Sequence, residues 1–109
     1  MPKPSDLLQG TLDLAILKCL SQQPLHGWGI AKRIQTLSGD VLAVGQGSLY
    51  PALHRLEQQG WLSANWQPSD LGRQVKVYTL TKSGGRQLER EMESWTRLSS
   101  ALQLLIQNA

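Results

Sequence analysis

Cysteine is nearly absent from this chain: Cys19 stands alone among 109 residues, which excludes a disulfide framework within it. Thiolate metal-sensor chemistry lacks its ligands for the same reason, so no metal site is supported, and Cys19 on an apolar stripe reads as a small core residue. Long apolar runs are missing, and no charged and apolar leader opens the chain. The expectation is a cytoplasmic protein with no membrane partner. No nucleophile with a matching base, no paired acids and no phosphate-cradling glycine loop occurs, which argues against an enzyme, and no cofactor is expected. Internal repeats and low-complexity segments are also lacking.

The excess of positive charge is small. Eleven Lys and Arg against eight Asp and Glu leave +3, too little to mark a nucleic-acid binder by itself. Its distribution is more telling. Residues 61–86 carry Arg73, Lys76, Lys82 and Arg86 against Asp70 alone, while the flanking stretches are near balance. At this length the chain can build one small domain and one added dimerisation element. The modest buried fraction of so short a chain means that a partner subunit helps.

What the sequence does contain is a helix with two unlike faces. From Gly47 to Gly60, Leu49, Leu53 and Leu56 recur at helical spacing and belong in a core, whereas Ser48, Tyr50, Pro51, His54, Arg55 and Gln58 point outward. With Gly47 or Ser48 as cap, Pro51 is expected in the first turn, where a missing backbone donor costs little. Gly60 stops the helix. Hydroxyls, an imidazole and a guanidinium on one face can donate to phosphates and base edges, as a DNA recognition helix requires. A merely solvated face is the bland alternative, but an exposed Tyr-Pro pair is an unusual choice for solvation. Arg55 is directed either to DNA or toward a neighbouring helix.

Two helices precede this one. Over residues 7–22, Leu8, Leu12, Ala15, Ile16, Cys19 and Leu20 form one stripe, with Leu7, Leu14 and Leu17 as a second apolar edge. The next helix runs from His26 or Gly27 to Ser38 with Ile30, Ile34 and Leu37 inward, His26 serving as cap or packing group, and Gly39-Asp40 as its stop. After Gly60, Trp61 to Gln67 and Gln74 to Leu80 read as two strands around a polar tip, Pro68 to Arg73. Trp61 and Trp66, flanking the first strand, are expected to pack. In the wing, Arg73 at the tip and Lys76 on the strand are the candidate phosphate contacts, with ordinary surface charge the alternative for Lys76.

Thr81 is placed to cap a last helix, although Gly84 and Gly85 weaken its first turns by about 1 kcal/mol each. On that helix, residues 87–107, Leu88, Met92, Trp95, Leu98, Leu102, Leu105 and Ile106 form a seam that needs a partner. Trp95 either packs that seam or, with its symmetry copy, holds a flat ligand. The expected fold is therefore mainly α with a small β-hairpin: a winged helix-turn-helix over residues 1–80 and a C-terminal dimerisation helix over 81–109.

Four blocks then carry a family resemblance: Gly10-Thr11-Leu12-Asp13-Leu14-Ala15-Ile16-Leu17, His26-Gly27-Trp28-Gly29-Ile30-Ala31-Lys32-Arg33-Ile34, Gly47-Ser48-Leu49-Tyr50-Pro51-Ala52-Leu53-His54-Arg55-Leu56-Glu57 and Tyr78-Thr79-Leu80-Thr81-Lys82-Ser83-Gly84. In order and spacing they resemble the PadR family of bacterial transcription regulators, in its compact subgroup with a single C-terminal helix. The resemblance implies a homodimeric repressor on a pseudo-palindromic double-stranded operator, released by a small, frequently aromatic effector. Ser48, Tyr50, Pro51, His54, Arg73 and Lys76 are the DNA-binding residues so implied, and Trp95 the effector contact. Two departures stand out. Gly72-Arg73 is followed by Gln74-Val75-Lys76-Val77 rather than a basic run, and Trp28 replaces a common tyrosine. A winged helix serving as a protein-protein module without DNA is the other class left open.

Overall fold

The computed structural model describes the backbone of residues 4–109 and the side chains of residues 10–109. Leu8 of the first helix's apolar stripe and Leu7 of its second apolar edge therefore lie outside the described side chains. The order is α1 (Pro4–Leu20), β1 (Leu25–His26), α2 (Gly27–Leu37), α3 (Gln46–Gln58), β2 (Leu62–Pro68), β3 (Gln74–Leu80) and α4 (Lys82–Asn108). This is the helical, hairpin-bearing architecture expected from the pattern.

The core forms where the apolar rows of three helices meet the sheet. Ile16, Leu17, Cys19 and Leu20 of α1, Ile30 and Ile34 of α2, and Leu49, Ala52, Leu53 and Leu56 of α3 are buried together with Leu62, Tyr78 and Leu88. Truncating one of the fully enclosed leucines, such as Leu53, costs about 2–5 kcal/mol. Leu37, expected inward, is exposed. It occupies the last turn of α2, past the edge of the core that Ile30 and Ile34 reach.

Helix ends follow local chemistry. His26 caps α2 by accepting the Gly29 N–H on Nδ1 at 2.9 Å. At the end of α3, Trp61 N–H bonds to Leu56 C=O and Gly60 N–H to Glu57 C=O, with Gly60 at φ 79°, a paired closure that favours glycine. Thr81 caps α4, accepting the Gly84 N–H at 3.0 Å while its own hydroxyl donates to the Gly60 carbonyl at 2.7 Å. Gly84 has a positive reason to be there. A Cβ at that position would collide with the Trp61 carbonyl, so the close approach of α4 to the base of the wing requires a bare Cα.

Two expectations are corrected here. The helix α3 starts earlier than expected, at Gln46 with Gly45 as cap, so Pro51 sits in the second turn and leaves the Gly47 carbonyl without its helical donor. Both residues are exposed, which makes the loss tolerable. The wing belongs to a three-stranded antiparallel sheet in the order β1-β3-β2 rather than a simple hairpin. The added strand is two residues long, Leu25 opposite Tyr78 and His26 opposite Val77, too short for any periodicity to reveal.

The helix α4 packs on α1, and Leu88 in its second turn is enclosed by its own chain. Leu88 is thus a core residue rather than part of a presented seam. Further along, Met92, Trp95, Leu98, Leu102, Leu105 and Ile106 are all exposed, as is Leu104. A 27-residue helix is about 40 Å long, and it accounts for much of the longest molecular dimension, 57 Å against 27 and 24 Å for the other two.

Candidate nucleic-acid interface

The buried row Leu49, Ala52, Leu53 and Leu56 fixes the rotation of α3, and the opposite face follows from it. Ser48, Tyr50, Pro51, His54 and Gln58 are exposed. Arg55, lying between the two faces, turns toward α1 and forms an ion pair with Asp13. That pair takes Arg55 from the outward set and ties the recognition helix to α1. Burial raises the Asp13 carboxyl above its usual value more than the Arg55 guanidinium lowers it, and Glu91 of α4 pushes in the same direction as burial. One acid on α1 therefore senses charges on both α3 and α4.

Tyr50 is held from behind. Its ring lies against Gly27 at the start of α2, so closely that a Cβ on Gly27 would meet the phenol oxygen at 2.8 Å and ring carbons at 2.9 and 3.0 Å. The absent side chain of Gly27 is thus the seat of the Tyr50 ring, which still exposes 44% of its surface.

The wing folds over the same side. Its tip is closed by Ser69 N–H to the Arg73 carbonyl at 2.6 Å and by Arg73 N–H to Ser69 Oγ at 3.2 Å, which leaves the Arg73 side chain in solvent. Lys76 is placed differently from Arg73. Its ammonium donates to Glu57 Oε1 of α3 at 3.2 Å and lies 5.4 Å from the centre of the Tyr78 ring. The hydrogen bond to Glu57 holds the Lys76 ammonium above the ordinary lysine value. Lys76 therefore straps the wing to the recognition helix, and its charge is partly neutralised. Between α3, the start of α2 and the wing runs an open cleft of about 1030 Å³ lined by Trp28, Tyr50, His54, Trp66, Arg73 and Lys76, among others.

The structure thus brings Tyr50, His54, Arg73 and Lys76 to one cleft, with Ser48 and Pro51 exposed on the same helix. Trp66, expected to pack, is 66% exposed and lines this cleft. Trp61 alone of the pair packs against the core. Sequence reasoning missed Trp66 because aromatic residues in strands usually pack. The signal that could have found it is the pairing register, which carries Trp66 past the core. Trp28, at the start of α2, is equally exposed.

A polar helix face presented over a leucine core beside a cation-tipped wing defines a winged helix-turn-helix of the DNA-binding kind. Comparison with known proteins agrees. The model of the transcriptional regulator PadR-like family matches residues 16–90. A transcriptional regulator of Mycobacterium tuberculosis is 35% identical over 86 residues, covering 79% of this chain and 77% of that protein. A PadR-like transcriptional regulator from Bacillus cereus superimposes with a TM-score of 0.80 at 29% identity, covering 95% of this chain and 99% of its own. A PadR family transcriptional regulator from Eggerthella lenta gives 0.79 at 28% identity over 95% and 88% of the two chains. The chain belongs to the PadR-like family of transcriptional regulators, whose members act in DNA-binding transcriptional regulation and are not enzymes. Among the described residues no helix is long and apolar enough to cross a membrane.

Proposed function

We propose that the protein is a homodimeric repressor that grips a pseudo-palindromic operator with two copies of α3 and is released by a small aromatic effector. The observation that carries the DNA half of this reading is the convergence of Tyr50, His54 and Arg73 on one open cleft. In this reading Ser48, Tyr50, Pro51 and His54 meet base edges or phosphates in the major groove, while Arg73 anchors the wing on the backbone. Lys76 plays a lesser part, because Glu57 already holds it. Two recognition helices address half-sites about one turn, roughly 34 Å, apart.

The dimer half rests on α4. An exposed row of Met92, Trp95, Leu98, Leu102, Leu105 and Ile106 on one helix is apolar surface that a second copy would cover, in an isologous pairing. Residues 1–80 then form the DNA-binding unit and residues 81–109 the dimerising one. Trp95 is the second residue of the row, and a two-fold axis crossing the helix at that level would set two indoles across from each other and admit a flat effector. Such a ligand acts only if it prefers one angle between the subunits. The path to the DNA face is short, since α1 touches both α4 and α3 and joins the latter through Asp13 and Arg55.

Sequencing the DNA recovered with the purified protein, followed by anisotropy titration of the recovered duplex, tests the assignment. Tight binding by the wild type and about tenfold weaker binding by Tyr50→Ala are expected. Absence of duplex binding at low salt would reject it.

A further inference from the structure

Trp66 is a large side chain of the wing that neither the core nor the wing turn explains. Alternation along β2 sets Leu62, Ala64 and Trp66 on one side of the sheet, and their partners on β3 are Leu80, Tyr78 and Lys76. The first two pairs of this row land on the core, where Leu62 and Tyr78 are buried. The third continues past the edge of the core and over the cleft that Tyr50, His54 and Arg73 also line. There the Trp66 indole is two-thirds exposed, and among the described residues no ring contact or hydrogen bond engages it.

An indole on the inner side of a wing, lining an open cleft whose charged groups are Arg73, Asp70 and the Glu57-paired Lys76, serves neither packing nor solvation well. A large apolar surface left bare beside cations marks a contact surface. Arg73 at the wing tip favours an anionic partner, and the duplex backbone offers an indole two kinds of surface: the apolar face of a deoxyribose and the phosphate oxygens beside it. Packing would use the ring and an acceptor would use Nε1–H, which is a donor only. The wing also needs such a contact, because Lys76 is committed to Glu57.

Building on the DNA reading above, we infer that Trp66 is a DNA-binding residue that packs on the sugar-phosphate strand lying between α3 and the wing. It is a contact without charge. Its removal therefore weakens binding without changing how many counterions are released, whereas removal of a phosphate-paired cation lowers the salt slope by about 0.9.

The test is anisotropy titration of a mixed-sequence duplex across a salt series, with wild type, Trp66→Ala, Trp66→Phe and Arg73→Ala. Trp66→Ala is expected to bind roughly tenfold more weakly at every salt concentration, about 1.4 kcal/mol, along a line parallel to the wild type. Trp66→Phe should recover part of the loss, and Arg73→Ala should flatten the line. Equal thermal melting of Trp66→Ala and wild type would confirm that the loss is one of contact. Wild-type affinity of Trp66→Ala across the series, with Arg73→Ala still flattened, would overturn the assignment and leave the DNA reading standing. Failure of the wild type to bind any duplex at low salt would overturn both.

Discussion

Replacing Gly27 with alanine should impair DNA binding while leaving the fold intact, and the reason lies in one contact. The new methyl would stand 2.8–3.0 Å from the phenol end of Tyr50, closer than carbon and oxygen atoms tolerate, so the ring must leave its seat. It can do so cheaply, because Tyr50 is an exposed side chain and the atoms in the way are its far end rather than backbone. Alanine in a helix is favoured over glycine by about 0.5–1 kcal/mol, which offsets the lost packing of the ring. Urea melts of Gly27→Ala and wild type should thus agree to within about 1 kcal/mol. Binding should behave otherwise: a displaced Tyr50 forfeits a contact of about 1–3 kcal/mol, or roughly tenfold in Kd for each 1.4 kcal/mol. The decisive measurement is a double-mutant cycle. If Gly27 acts by seating Tyr50, then Gly27→Ala has little further effect on Kd in a Tyr50→Ala background. Equal losses from Gly27→Ala in both backgrounds, or wild-type affinity in the single variant, would refute the reasoning.

Three further outcomes follow from the packing and the charges. Gly84→Ala should destabilise by at least about 1–3 kcal/mol, because its Cβ would strike the Trp61 carbonyl; helix propensity alone gives the opposite sign, and a denaturant melt decides between them. Leu102→Asp, placing a charge in the exposed row of α4, should convert a two-chain species into single chains in sedimentation equilibrium at micromolar concentration. Unchanged mass would remove α4 from the dimer contact. For Asp13, burial raises the folded carboxyl above the unfolded value of 3.8. Its contribution to stability is therefore full below that pH and is lost as pH rises through the folded value. Measured by urea melts at several pH values, wild type should lose ground relative to Asp13→Asn as pH rises through this acid window, and a trend of opposite sign would refute the burial account.

Much of this could be read from residue order because the governing physics is local. The leucines of α3 recur with helical period, so its outward set was legible down to Ser48, Tyr50, Pro51 and His54. Thr81 and Gly60 punctuate the chain by cap and left-handed backbone chemistry that needs no tertiary context. Where the structure departs from the local pattern, the deciding partner is distant in sequence. The two-residue β1 exists only because β3 lies beside it. Arg55 leaves the outward face because Asp13, forty-two positions earlier, is there to receive it, and Leu88 is buried because it joins the core built by the preceding helices and the sheet.

By itself, then, the residue order determined the succession of elements, the buried stripes, the helix stops and the family, since periodicity, capping and motif spacing are properties of neighbours along the chain. Only the tertiary structure decided which cation the wing keeps free, that Gly27 is the seat of Tyr50, and that Trp66 faces the cleft. Each of these depends on the distance between groups far apart in sequence, and that distance is set when the helices and the sheet close on a shared core.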